Sequence, residues 1–184
     1  MALAALLGIL IIAVIIGFVY YVNKISILSN RIDNSWAQID VQLKKRADLV
    51  PNLVETVKGY MKHEKKAIEL VTKSRQAVLK ADAPSAKVKA GDVLSSALKT
   101  VFALAENYPN LKANENFMML QGELAGIESQ IAYARKSYND SVLAYNNLIT
   151  TLPGIWFAAY LGKSRKDYLE TVETERKPVK VSFD

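Results

Sequence analysis

The chain opens on an unbroken apolar stretch, Ala2 to Val22, that contains no charged residue. As a helix rising about 1.5 Å per residue it is about 31 Å long, matching the hydrocarbon core of a bilayer. Tyr20 and Tyr21 close the stretch where an aromatic belt is expected, and Lys24 follows. A cleaved signal peptide predicts a basic start and small residues at its end. Here no Lys or Arg precedes the stretch, and it ends Phe18-Val19-Tyr20-Tyr21-Val22. The pattern predicts a retained, single-pass transmembrane helix.

From residue 23 onward the apolar positions recur at steps of three and four. Ile25, Leu28, Ile32, Trp36, Ile39 and Leu43 form one helical stripe, with no Gly or Pro before residue 51. Pro51 lacks an N–H and disfavours helix at Val50, so either a kink or a tight turn is expected there. The stripe resumes through Leu53, Val57, Tyr60, Ile68, Val71 and Val78, with Gly59 as a weak point that permits a close neighbour. Residues 81–92 read as a loop. A third helix carries Leu94, Leu98, Val101, Ala105 and Tyr108, and ends at Pro109 in a Tyr-Pro-Asn turn. The longest stripe is Phe117, Leu120, Leu124, Ile127, Ile131, Ala134, Tyr138, Val142, Tyr145 and Leu148, whose first seven positions form an a/d heptad seam. It predicts a helix from about residue 113 to 151, stopped by Pro153 and Gly154. A short apolar piece, Ile155 to Leu161, follows, with Gly162 as a natural cap. The end, Lys177 to Asp184, alternates apolar and polar residues like a short edge strand.

These elements predict an all-α chain: an antiparallel bundle of long helices carried on one N-terminal transmembrane helix. The expected divisions are an anchor (1–22), a helical bundle (23–162) and a charged tail (163–184) with a strand-like end.

Composition narrows the chemistry. The chain has no cysteine, which excludes disulfides, thiolate metal sites, a thiol nucleophile and a lipidated N-terminal cysteine. Its net charge is +6. A nucleic-acid face calls for Arg and Lys interleaved with exposed aromatics, whereas the aromatics here fall on apolar helix positions, so no nucleic-acid partner is expected. An anionic bilayer surface is the better electrostatic partner. Lys24, Arg31, Lys44, Lys45 and Arg46 follow the apolar stretch and none precedes it. The positive-inside bias therefore predicts the N-terminus outside and the body in the cytoplasm, at an inner or plasma membrane.

No catalytic, cofactor or metal site is expected. His63 is the single histidine, beside Glu64, and adjacent helical residues do not share a face. One histidine cannot supply the paired Glu-x-x-His motifs of a di-iron bundle. It reads as a surface residue on the second helix. No Gly-x-Ser-x-Gly turn or glycine-rich phosphate loop is present.

Two groups of residues are the candidate sites. Asn34, Arg46, Asp48, Asn52, Arg135, Asn139 and Asn146 lie near the apolar stripes. They are either interhelical hydrogen bonds that fix register, as a polar seam residue does in coiled coils, or the lining of a ligand groove. Arg135 and Asn139, four apart, can share a face. Trp156, Phe157 and Tyr160 either cap the open end of the bundle or bind lipid or a partner. Val179, Val181 and Phe183 on the tail are further candidate contacts, suited to strand pairing with a neighbour.

Several stretches together resemble the LemA family: Asp40-Val41-Gln42-Leu43-Lys44-Lys45-Arg46-Ala47-Asp48-Leu49-Val50-Pro51-Asn52-Leu53-Val54, then Ala105-Glu106-Asn107-Tyr108-Pro109-Asn110-Leu111-Lys112, Leu120-Gln121, Tyr138-Asn139, Tyr145-Asn146 and the closing Pro178-Val179-Lys180-Val181-Ser182-Phe183. The resemblance covers nearly the whole chain. It implies an antiparallel helical bundle on a single membrane helix. Members are described as bacterial membrane proteins of undefined role without known enzymatic activity. Some are encoded near membrane zinc metalloproteases of the HtpX type, which implies a scaffold or adaptor in membrane protein quality control. The resemblance transfers no catalytic residue. Where the family often carries an aromatic pair, Lys166-Asp167-Tyr168 stand here, leaving Tyr168 as the candidate contact. The expected function is thus a non-enzymatic, membrane-anchored scaffold, oligomeric with copies of itself. The alternative is a receptor or sensor with an interhelical groove near Arg135 or Trp156.

Overall fold

A computed structural model of the chain describes residues 1–169. Among them are six helices and no strand: α1 (Ala2–Lys58), α2 (Lys65–Lys80), α3 (Pro84–Ala105), α4 (Pro109–Lys112), α5 (Glu115–Thr150) and α6 (Gly154–Tyr160). The chain is an all-α helical bundle, and α1 is long and apolar enough to cross a membrane. The strand-like end, with Val179, Val181 and Phe183, lies outside the described residues.

The chain forms two units, to which α1 and α5 both contribute. The first joins residues 1–36 to 136–168. Its core is Ile25, Leu28 and Ile32 of α1 against Val142, Tyr145 and Ile149 of α5, closed by Ala158 of α6. The apolar stretch before it is one helix with these core positions, and no residue of its most apolar window is buried. Ile25 to Ile32 point inward at helical spacing because only their face is apolar, whereas residues 2–22 are apolar on every face, as lipid-facing residues are.

The second unit holds residues 37–135, with Leu169. Ile39, Leu43, Ala47, Val50, Leu53 and Val57 of α1 are buried there with Val71 and Val78 of α2, Leu94, Leu98 and Val101 of α3, and Phe117, Leu120, Leu124 and Ile131 of α5. The heptad stripe of α5 is thus its inward face. Asn114 starts that helix by accepting the Phe117 N–H on its Oδ1 at 3.1 Å, a side-chain cap.

Three boundaries differ from the sequence reading, and one that it left open, at Pro51, is decided against a turn. The helix does not break at Pro51 but continues to Lys58. Proline leaves the Ala47 carbonyl without its helical donor, and its ring crowds that carbonyl outward. Arg75 of α2 takes the vacant place, its Nε donating to Ala47 O at 2.8 Å. The break falls instead at residues 59–64, where the N–H groups of Tyr60 and Met61 both return to the Val57 carbonyl. Glycine lowers helix propensity there by about 1 kcal/mol, and the fully buried Met61 anchors the turn. His63 accordingly sits exposed in this turn rather than on a helix, and Gly59 meets no neighbour. A second difference concerns residues 81–92. Only 81–83 connect, because Pro84 at the first helical position starts α3. Gly91 is a packing residue in that helix: a Cβ there would stand 2.5 Å from Leu43 Cδ2. Pro109 likewise starts the short α4 rather than ending α3.

Arg75 supplies a testable coupling. Arg75→Met is expected to cost about 1 kcal/mol more in the native chain than in a Pro51→Ala background, where the backbone supplies its own donor. Urea unfolding of the four-member mutant cycle measures it.

Candidate functional site

The polar candidates fall into two separate places, one in each unit. In the second unit Arg46 is the largest fully buried side chain, 1% exposed. Its position among Ile39, Leu43 and Val50 puts a cation on the inward face of α1. The guanidinium is held by Glu128 of α5, by the Ser95 hydroxyl of α3 and by the Gly91 carbonyl, with Nη1 at 3.4 Å from the last. Ser95 also donates to Glu128 Oε2 at 3.0 Å, so hydroxyl and guanidinium share one carboxylate. Burial pushes the Arg46 pKa below its usual value, while the Glu128 carboxylate opposes that. Next to Gly91 on α3, Asp92 pairs with Arg135 of α5, and both side chains are largely covered. These ion pairs tie α1, α3 and α5 together.

The remaining candidates of this unit are not part of the cluster. Asp48 and Asn52 are exposed. Asn52 lines a shallow recess of about 340 Å³ with Glu55, Met119 and Leu120. A second recess, of about 400 Å³, lies between Val50, Pro51 and Val54 of α1 and Thr72 and Arg75 of α2. Among the described residues no group of three or more His, Cys, Asp or Glu is placed to hold a metal ion.

In the first unit Asn146, 2% exposed, clasps the chain that returns after α6. Its Nδ2 donates to the Lys166 carbonyl and its Oδ1 accepts the Lys166 N–H, both at 2.9 Å. Lys166 Nζ then reaches Asp33 at 3.8 Å and lies 6.0 Å above the Tyr145 ring. Asn34 is exposed, and Asn139 and Tyr138 are half-buried. The Arg46 cluster, the Asn146 clasp and the α3 partner of Arg135 join segments distant in sequence, which no local spacing reveals. The signal in the sequence was Arg46 itself, a cation standing on the apolar stripe between Leu43 and Val50.

Two tyrosines make this unit alkali-sensitive. Burial, with the carboxylates of Asp167 and Asp33 behind it, raises the Tyr138 pKa, and burial alone raises that of Tyr145. A raised folded pKa means that the folded state holds the proton more tightly than the unfolded state. The resulting stability is fully present below the ordinary tyrosine range near pH 10 and is lost as pH rises through the folded values. Unfolding midpoints are expected to fall as pH rises above the ordinary tyrosine pKa of about 10, and to fall less in Tyr138→Phe/Tyr145→Phe.

At the end of this unit α6 packs against residues 17–21 of α1. Phe157 stacks on Tyr21 with centroids 4.9 Å apart and meets Phe18 edge-on at 6.1 Å. Tyr160 meets Phe18 at 5.9 Å. Gly154 and Ala158 face inward; Trp156 and Tyr160 are 66% and 79% exposed. Gly162, at φ 63°, closes the helix. Its N–H returns to Ala159 O, and the Lys163 N–H returns to Ala158 O at 2.9 Å, the paired bonds of a glycine-terminated helix.

The sequence pattern of the LemA family matches residues 35–183, most of the chain. The chain belongs to the LemA family. It is 25% identical over 145 residues to Protein LemA of Metamycoplasma hominis, across 74% of this chain and 65% of that protein. It is also similar to Magnetosome protein MamQ of Magnetospirillum gryphiswaldense, 30% identical over 73 residues, and to Magnetosome protein MamQ 2 of Paramagnetospirillum magneticum, 29% identical over 75 residues. Those alignments cover 40% and 41% of this chain, and 27% and 28% of the relatives. The chain thus spans just under two thirds of the LemA relative and little more than a quarter of the MamQ relatives. The LemA-matched range contains the Arg46 cluster, the Asn146 clasp and α6, and begins after the apolar stretch.

Proposed function

We propose that this LemA-family chain is a non-enzymatic scaffold or adaptor anchored in the inner or plasma membrane by residues 1–22, with the N-terminus outside and the body in the cytoplasm. The observation that carries the reading is the continuity of α1. The apolar stretch passes into the buried positions Ile25, Leu28 and Ile32 without a linker, so the anchor is itself a wall of the bundle. A tether meant only to hold a mobile domain near the membrane would need a flexible joint at residues 23–25. A chain built this way suits holding partners at a fixed height above the lipid. Its ion pairs support the same reading, because each charge of the Arg46 cluster is engaged by another side chain rather than left convergent on an open cleft. Arg135, where a ligand groove was the alternative, is engaged by Asp92.

The partners proposed are further copies of the chain and a membrane metalloprotease of the HtpX type. Crosslinking in native membranes followed by mass spectrometry, with particle size measured in mild detergent, tests this. Crosslinks between copies and a particle larger than one chain are expected. A strictly monomeric particle with no crosslinked membrane protein would overturn the scaffold reading.

A further inference from the structure

The outward face of α6 has no polar residue. At helical spacing Gly154, Phe157 and Ala158 turn inward, which leaves Ile155, Trp156, Ala159 and Tyr160 on the other side, all exposed. Leu152, just before the helix, is 70% exposed as well. A helix on a water-facing surface carries charges on that side, and one apolar all round is covered by something apolar. The ring contacts give the depth of α6. It lies beside Gly17, Phe18 and Tyr21, the last turns of the uncharged stretch, with Gly154 next to Tyr21 and Tyr160 next to Phe18. The helix therefore runs from the end of the apolar stretch inward along it. Charge resumes just after the glycine turn: Lys163 and Arg165 are exposed, like Lys24 on α1.

We propose that α6 is a second membrane-contacting element, a short wedge in the boundary between acyl chains and headgroups, with lipid as the occupant of its outer face. This inference rests on the reading that residues 2–22 span the bilayer. Trp156 and Tyr160 have the amphipathic rings that favour this boundary, and Tyr20 and Tyr21 mark the same level on α1. Lys163, just past the glycine turn, can reach along apolar surface toward the phosphate groups while its cation stays hydrated. The wedge widens the membrane footprint from one helix to two adjoining ones.

The full chain is reconstituted into vesicles of phosphatidylcholine and phosphatidylglycerol as the variant Trp36→Phe, which leaves Trp156 as the sole tryptophan. Lipids brominated near the glycerol end of the acyl chain are expected to quench its emission most, those brominated near the chain end less, and aqueous iodide least. Quenching by iodide and not by brominated lipid would overturn the proposal. So would emission that neither reagent reaches, since a protein would then cover the face. Flotation of the same vesicles reads the anchor separately. A chain that fails to float overturns the transmembrane reading, whereas one that floats with an iodide-quenched Trp156 overturns only the wedge. Should Trp36→Phe disturb the fold, the cysteine-free chain allows a nitroxide on Ala159→Cys. Greater collision with oxygen than with a water-soluble nickel chelate is expected, and the reverse order overturns the proposal.

Discussion

Glu128→Ala is expected to destabilise the protein by about 3 kcal/mol, and adding Arg46→Met to it is expected to restore most of that loss. Arg46 is 1% exposed, whereas the Glu128 side chain is 45% exposed. Removing the carboxylate therefore strands a buried cation whose remaining hydrogen-bond partners are a serine hydroxyl and a backbone carbonyl, with the repulsion of Arg135 set against the attraction of Asp92. Removing the cation has a different consequence: Glu128 can turn to water, and a methionine stem occupies much of the volume beside Leu43 and Val50. The ordering is the discriminating result. Urea unfolding should place the double variant well above the single Glu128→Ala, while simple additivity would place it below. Equal stability of the two would show that the stranded cation costs no more than a methionine in its place, against the expectation.

Asn146→Ala is expected to cost about 2 kcal/mol, because it removes two hydrogen bonds worth about 1 kcal/mol each. Both are made to one peptide group, the N–H and C=O of Lys166, from a side chain that is 2% exposed. No other residue type offers a donor and an acceptor at that spacing on so short a stem, and Asp keeps the acceptor alone. The loss should be local. Trypsin cuts after Lys163, Arg165 and Lys166, so cleavage there should accelerate in Asn146→Ala and Asn146→Asp while cleavage after Lys99 does not. Uniform acceleration along the chain would indicate global unfolding and count against a clasp.

The helical periodicity was enough to read the bundle, because a buried face repeats at three and four wherever a helix packs. Phe117, Leu120, Leu124 and Ile131 are buried where that period puts them. Pro51 and residues 81–92 were misjudged or left open for a common reason: a neighbour decides them. Proline stays in α1 because Arg75 compensates, and Gly91 stays in α3 because Leu43 presses against it. Of the polar candidates, Arg46, Arg135 and Asn146 proved to be buried or largely covered, and Asn34, Asp48 and Asn52 exposed. Position along the stripe does not separate these sets, since a residue at the edge of an apolar face is covered or bare according to what crosses it. Arg135 and Asn139 share a helix, but the partner of Arg135 is Asp92, forty-three residues earlier.

The bond from Arg75 to the Ala47 carbonyl has a consequence for the order of assembly. During synthesis the ribosome releases Pro51 before Arg75 exists outside it. The turn of α1 around Ala47 must then wait with its oxygen bound to solvent until the next helix is made and folds back. That turn is thus completed by docking rather than by coiling, and the last part of α1 matures only when α2 arrives.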